Sequence, residues 1–247
     1  MNKRTLKFSV DTDINGIECD AYCARLVFAV AEDEILTVEY PRCKNLNVGC
    51  GDGAIIINQR SRTLFKHKKQ TIKIYVPEHT VPAVKIFGKH LAVEMNGGIY
   101  GELNLTADDG TVNLSDCCMQ CAEISGGDLS AYLDGVTVKG NLIIKCDRGD
   151  IFTENSFATR FECRTDRGNI GQVNLSCKDG AFDTLEGNIT ATLAGGAEDF
   201  DTDIFAGEGT VNRESEKHEG AEGNFHAYTK NGNIVLEFAE EKQKENS

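Results

Sequence analysis

The chain is 247 residues long, with 40% apolar and 26% charged residues, a composition that supports a sizeable core and excludes a disordered chain. Its 26 basic and 39 acidic residues leave a formal charge of −13, which repels phosphate backbones and argues against a nucleic-acid partner. Proline occurs three times and glycine 25 times, so glycine is the main turn former.

The amino terminus, Met1-Asn2-Lys3-Arg4-Thr5-Leu6-Lys7-Phe8-Ser9-Val10, starts basic, but Lys7, Ser9, Asp11 and Asp13 interrupt any apolar region. Neither a signal peptide nor a membrane span is expected, so the sequence as it stands points to the cytoplasm. Removal of a leader would make an envelope or secreted setting equally compatible. Ten cysteines in a chain of this size read as reduced thiols rather than a disulfide framework.

Residues 1–95 read as strands joined by turns. Leu26, Phe28 and Val30 alternate with their neighbours, and Ile35-Leu36-Thr37-Val38-Glu39-Tyr40 closes at Pro41. Leu46-Asn47-Val48 leads through a glycine-rich turn to Ala54-Ile55-Ile56-Ile57, and Thr71-Ile72-Lys73-Ile74-Tyr75-Val76 stops at Pro77. Val84-Lys85-Ile86-Phe87 is a further run. Period-two alternation and the lack of an apolar stripe of period 3.6 predict an almost entirely β chain.

From about Val93 a phrase recurs: polar residue, glycine, small polar residue, aliphatic residue. Its glycines are Gly110, Gly127, Gly149, Gly168, Gly187, Gly209 and Gly232, spaced 17, 22, 19, 19, 22 and 23 residues apart. A period of roughly 20 is that of one solenoid coil. Two residues after each glycine comes Val112, Leu129, Ile151, Ile170, Ile189, Val211 or Ile234. Positions three and five before it, such as Ala107 with Leu105 and Thr165 with Cys163, are expected to point inward together with the glycine. The glycine is expected at a corner, where positive φ or close backbone approach is needed. The polar loop 213–220 and the tail 240–247 are expected to be mobile.

The Gly-Asp-Ile and Gly-Asn-Ile phrases, preceded by Thr37 to Tyr40, Ile72 to Pro77 and Gly97-Gly98-Ile99, resemble the bacterial putative-adhesin family of unknown function. The resemblance covers most of the chain. It implies a β-solenoid, carries no catalytic residues with it, and suggests an envelope or secreted setting.

Five groups could carry chemistry, and each has a plainer reading. Cys117-Cys118-Met119-Gln120-Cys121 contains a Cys-x-x-Cys spacing, but zinc wants four ligands and no second such pair exists. Core thiols are the plainer reading, and the same holds for Cys146 and Cys163 on inward repeat positions. Asp199-Phe200-Asp201-Thr202-Asp203 places three carboxylates at alternate positions, which on one strand face suits a hard cation or acid/base work on sugars. A solvated acidic face is the plainer reading. Asp147-Arg148 and Asp166-Arg167, one coil apart, are expected to make crossed surface ion pairs that fix register. The basic run Arg60 to Lys69 suits an anionic polymer or an acidic partner, or is simply an exposed hairpin loop. The histidines (His67, His79, His90, His218, His226) show no ligand-like spacing, and the common catalytic signatures are absent from the sequence.

The sequence therefore predicts an all-β, single-domain β-solenoid over 1–239, with N-terminal strands over 1–95 continuous with repeat coils over 96–239. It predicts a non-catalytic structural or interaction module without metal or cofactor. The partner is a protein or polysaccharide, with no nucleic acid and no membrane insertion, and self-association is left open. The alternative is a carbohydrate-active β-helix enzyme using carboxylates on one solenoid face, Asp199, Asp201 and Asp203 among them.

Overall fold

The structure, a computed structural model, describes residues 3–9, 14–60 and 69–239. The first nine strands are β1 (Lys3–Ser9), β2 (Gly16–Ala21), β3 (Ala24–Val30), β4 (Ile35–Pro41), β5 (Leu46–Gly51), β6 (Ala54–Gln59), β7 (Gln70–Val76), β8 (Ala83–Gly88) and β9 (Leu91–Asn96). The central coils are β10 (Ile99–Ser115), β11 (Cys118–Asp134), β12 (Thr137–Arg148), β13 (Ile151–Glu154), β14 (Phe157–Arg167), β15 (Ile170–Glu186) and β16 (Ile189–Leu193). After a short 3-10 turn (Ala197–Asp199) come β17 (Phe200–Glu208), β18 (Gly223–Asn231) and β19 (Ile234–Phe238). All are parts of one sheet wound into a solenoid, with parallel pairing between successive coils. No helix among the described residues is long and apolar enough to cross a membrane.

Inward alternation explains the coil. In β10, Leu103, Leu105 and Ala107 are buried, and so are Val112 and Leu114. Ala107 and Val112 are an odd five positions apart, so the period-two alternation must slip between them. The slip falls at Gly110, whose φ is +145°. A Cβ there would lie 1.9 Å from the carbonyl oxygen of Leu91 in the adjoining coil. The corner therefore needs glycine both for conformation and for space, and the glycine itself does not share the inward side with Leu105 and Ala107. That part of the expected column is corrected by parity, because three and five are odd offsets and alternation itself turns the glycine to the other side.

The threonines three before the glycines have a polar task. The hydroxyls of Thr165, Thr184 and Thr229 donate to the carbonyls of Gly149, Gly168 and Gly187 in the neighbouring coil, at 3.2, 3.0 and 2.9 Å. Buried carbonyls at a corner are costly when unpaired, so a small β-branched donor suits this position. The residue after each glycine builds a ladder outside. The side-chain oxygens of Asp150, Asn169, Asn188 and Asn233 accept from the backbone N–H of Asn169, Asn188, Asn233 and Thr210, at 2.8 to 3.0 Å.

A second corner carries short polar residues or glycine in the left-handed region: Asp116, Gly135, Asn155 and Asn174, with φ of 52°, 63°, 48° and 52°. These are the residue types that tolerate that conformation at least cost.

Two features depart from the expected repeat. Gly110 pairs in register with Leu129, not Gly127, so the phrase in β11 is displaced by two residues. An even displacement keeps every side chain on its own face, which is why the core survives it. The last coils are also out of order: β18 and β19 lie against β15 and β16, and β17 stacks outside β18. Gly232 thus approaches Gly187, and Gly209 approaches Gly232. The amino-terminal end mirrors this, because β2 and β3 lie between β6–β7 and β8–β9. Antiparallel β5, β4 and β1 close that end.

The loop 213–220, expected to be mobile, is hydrogen-bonded along β17. Thr202 N–H donates to the carbonyl of Glu216 at 2.8 Å, and Ile204 N–H donates to Ser215 Oγ at 2.9 Å. Asn212 brackets Leu236 on the other side, accepting from its N–H and donating to its carbonyl. Covering an exposed sheet edge in this way blocks pairing with another chain. The tail 240–247 and residues 61–68 of the basic run lie outside the described residues.

Candidate functional site

The carboxy-terminal end of the outer face collects the most varied chemistry. Three strands align there in the order β15, β18, β17. Asp179 pairs with Asn224 and Asn224 with Asp201; Ala181, His226 and Asp203 form the next row; Asp183, Tyr228 and Phe205 form the third. Their alternates, Phe182, Phe225, Ala227, Thr202 and Ile204, are buried, so alternation alone turns the three rows outward.

The rows are cross-linked. Asn224 Nδ2 donates to Asp179 Oδ1 at 2.9 Å, and the backbone N–H of His218 donates to Asp201 Oδ1 at 2.8 Å. His226 lies between two carboxylates, with Nδ1 3.2 Å from Asp203 Oδ2 and Nε2 3.4 Å from Asp183 Oδ1. Among the described residues, Asp183 Oδ1 is buried and makes no hydrogen bond of good geometry, and the ion pair with His226 is its tie. Arg160, Ser215 and Lys217 complete the rim of a groove of about 710 Å³.

The sequence candidates fall apart in instructive ways. Asp201 and Asp203 do share the outer face of β17, but Asp199 sits in the 3-10 turn before it, where its carboxylate accepts from the N–H of Gly196 at 2.8 Å. The chain leaves the strand there, so the third carboxylate of the expected set caps a turn instead. His226, Asp183 and Asn224 were not among the candidates. A signal for them existed: Asp203 and His226 both lie six residues before a phrase glycine, and Phe205, Tyr228 and Asp183 lie four before.

Cys117, Cys118 and Cys121 do not converge. Cys117 is buried, and its thiol donates to the carbonyl of Ser115 at 3.2 Å, while Cys118 is half-buried and Cys121 exposed. Burial pushes the Cys117 thiol up to about 12, despite backbone hydrogen bonds that pull the other way, so it is a neutral core thiol at physiological pH. Cys146 and Cys163 are buried as expected, and burial raises both. No cluster of three or more His, Cys, Asp or Glu among the described residues could hold a metal ion.

The Asp147-Arg148 and Asp166-Arg167 pairs do not cross. Arg148 forms a bidentate pair with Asp128, Nη2 to Oδ2 at 2.8 Å, and Arg167 reaches Glu186 at 3.5 Å. The reason is register: Asp128 faces Arg148 and Glu186 faces Arg167 directly across the ladder, whereas Asp147 and Asp166 sit one residue off those rungs. Of the basic run, Arg60 and Lys69 are described: Arg60 N–H donates to Asn45 and Lys69 Nζ to the carbonyl of Leu91.

Such a molecule is a β-solenoid, closed by antiparallel strands at its amino-terminal end, with a groove on its outer face. The chain belongs to the Toastrack DUF4097 family, whose profile matches residues 26–247. Two solved structures share the fold. A putative adhesin from Bacteroides fragilis is 15% identical with a TM-score of 0.57, covering 96% of this chain and 97% of its own. A putative adhesin from Parabacteroides distasonis is 14% identical with a TM-score of 0.53, covering 95% and 97%. Likeness at these identities concerns the fold alone. Comparison with curated proteins gives no match.

Proposed function

We propose that the chain is a non-catalytic interaction module, a rigid solenoid that offers its outer face to a protein or polysaccharide partner. The observation that carries this reading is the engagement of the two outward carboxylates: Asp201 is held by the His218 N–H and Asp203 by His226. Acid/base or nucleophilic work needs a titratable pair free to converge on a reacting atom. The names of the two structural neighbours, both putative adhesins, favour a binding role and an envelope or secreted setting. The same reading takes 1–239 as one unit.

Incubation with neutral and acidic polysaccharides, followed by measurement of new reducing ends, tests it. The expected result is no release above that of the doubly substituted Asp201→Asn, Asp203→Asn protein. Release that depends on these two residues would overturn the reading in favour of a carbohydrate-active enzyme.

A further inference from the structure

Phe205 and Tyr228 stand on the outer side of β17 and β18, one alternation beyond Asp203 and His226. Their rings are parallel within 7°, with centroids 5.9 Å apart. Phe205 is 57% exposed, and Leu185, in β15 on the far side of β18, is 39% exposed. The core does not require rings here, because the inward alternates Ile204, Ala227 and Thr229 already fill it. β17 is the outermost strand of this face; the Ser215 hydroxyl and the Glu216 backbone bond to Ile204 and Thr202 along its edge, while Phe205 stays exposed. Two residues on, Gly207 presents no side chain.

We propose that this end of the outer face is a binding site for a neutral oligosaccharide. One sugar ring stacks on the Phe205–Tyr228 pair, and the adjoining units lie in the groove over Asn224, His226 and Asp203. The chemistry matches on three counts. The C–H face of a pyranose is apolar and suits an exposed aromatic ring, which carries a large apolar surface with a negative π face. Sugar hydroxyls both donate and accept, and the groove offers both kinds of partner: carboxylates accept, while Arg160, Lys217 and the Asn224 amide donate. Asp179, Asp183, Asp201 and Asp203 outnumber Arg160 and Lys217, in a chain of net charge −13, so glycans bearing uronate, sialate or phosphate are repelled. The proposal rests on the reading of the chain as an interaction module and names the ligand class of that face.

The test is affinity electrophoresis of the full chain through gels containing xylan, mixed-linkage β-glucan, galactomannan or, as the acidic comparison, polygalacturonate. At least one neutral polymer is expected to retard the protein and polygalacturonate is not. Phe205→Ala or Tyr228→Ala should weaken the apparent affinity by on the order of tenfold, the scale of one lost aromatic contact. Phe87→Ala removes a ring of similar exposure, 51%, nearer the other end of the same face, and should change nothing. Circular dichroism confirms that the variants fold. The assignment is overturned by absence of retardation in every neutral gel, by retardation in polygalacturonate alone, or by retardation indifferent to both ring substitutions. Each of these leaves the interaction reading standing, because only Asp-dependent release of reducing ends removes that.

Discussion

Gly187→Ala isolates the close approach of coils from backbone conformation. The φ of Gly187 lies outside the left-handed region, yet an added Cβ would lie 1.9 Å from the carbonyl oxygen of Gly168 and 2.6 Å from its carbon. Relief to an ordinary contact near 3.4 Å moves the two coils apart by about 1.5 Å at this point. Four of the hydrogen bonds that cross that seam are Gly168 N–H to Glu186, Ile170 N–H to Asn188, Asn188 N–H to Asn169 Oδ1 and Thr184 Oγ1 to Gly168, all at 2.9 to 3.0 Å. Stretched by that amount they cease to be hydrogen bonds. At about 1 kcal/mol each the loss is about 3–4 kcal/mol, which for a chain of this size lowers the melting midpoint by about 10 °C. Thermal unfolding followed by circular dichroism measures it. Gly220→Ala is the matched comparison, with φ +92° but open space around the added atom; its cost should be about 1 kcal/mol. A Gly187→Ala protein that melts within about 3 °C of the parent, or is more stable than Gly220→Ala, would refute the corner argument.

Asn188→Ala removes the acceptor of the Asn233 N–H at 2.9 Å and a donor to Asn169. It should cost about 1–2 kcal/mol in a melt, while Asn188→Asp, which keeps the acceptor, should cost less. Native protein treated with a thiol reagent at mild pH should label Cys50 and Cys121, both exposed, well before Cys19, Cys163 and Cys177, which are buried; all ten cysteines react once it is unfolded, and immediate labelling of the buried three contradicts the packing. Burial raises Cys19, Cys117 and Cys177 from 9.0 to about 12. The folded state therefore keeps protons that the unfolded chain gives up above 9.0, so stability is full below that pH and falls as the pH climbs toward 12. A melting midpoint that stays flat across this window, or that falls equally steeply in Cys177→Ala, counts against it.

What the sequence made legible was what repeats without change. Gly149, Gly168 and Gly187 carry the same phrase at equal spacing and do stack, and Thr165 and Thr184 keep their offset because each caps the same kind of carbonyl. The β11 coil misled because Leu129, not a glycine, occupies the corner column, so aligning on Gly127 moved the coil by two. The second corner stayed hidden for a different reason. Asp116, Gly135, Asn155 and Asn174 solve one conformational problem with three residue types, and a search for identical letters does not connect them. Alternation alone puts Asp199 on the strand, because it takes no account of where a strand begins.

The order of the end coils could not be read from phrases at all, since Gly209 and Gly232 present the same pattern and either could follow Gly187. The structure places the later one first. The consequence reaches the groove: its rows join residues such as Asp179, Asn224 and Asp201, which are 45 and 23 residues apart and out of sequential order. In the regular coils, the corner positions after each glycine are consumed by an in-register Asp and Asn ladder. The out-of-order end instead brings carboxylates, an imidazole and two rings together on one face. Threading β18 beneath β17 also makes the outermost strand depend on a partner that follows it in the chain and that itself pairs with β15 across 45 residues; loop-closure entropy makes such non-local pairing slow. The hydrogen-bonded cover of Ser215 and Glu216 reaches Thr202 and Ile204, which leaves Phe205, 57% exposed, on the uncovered part of this edge.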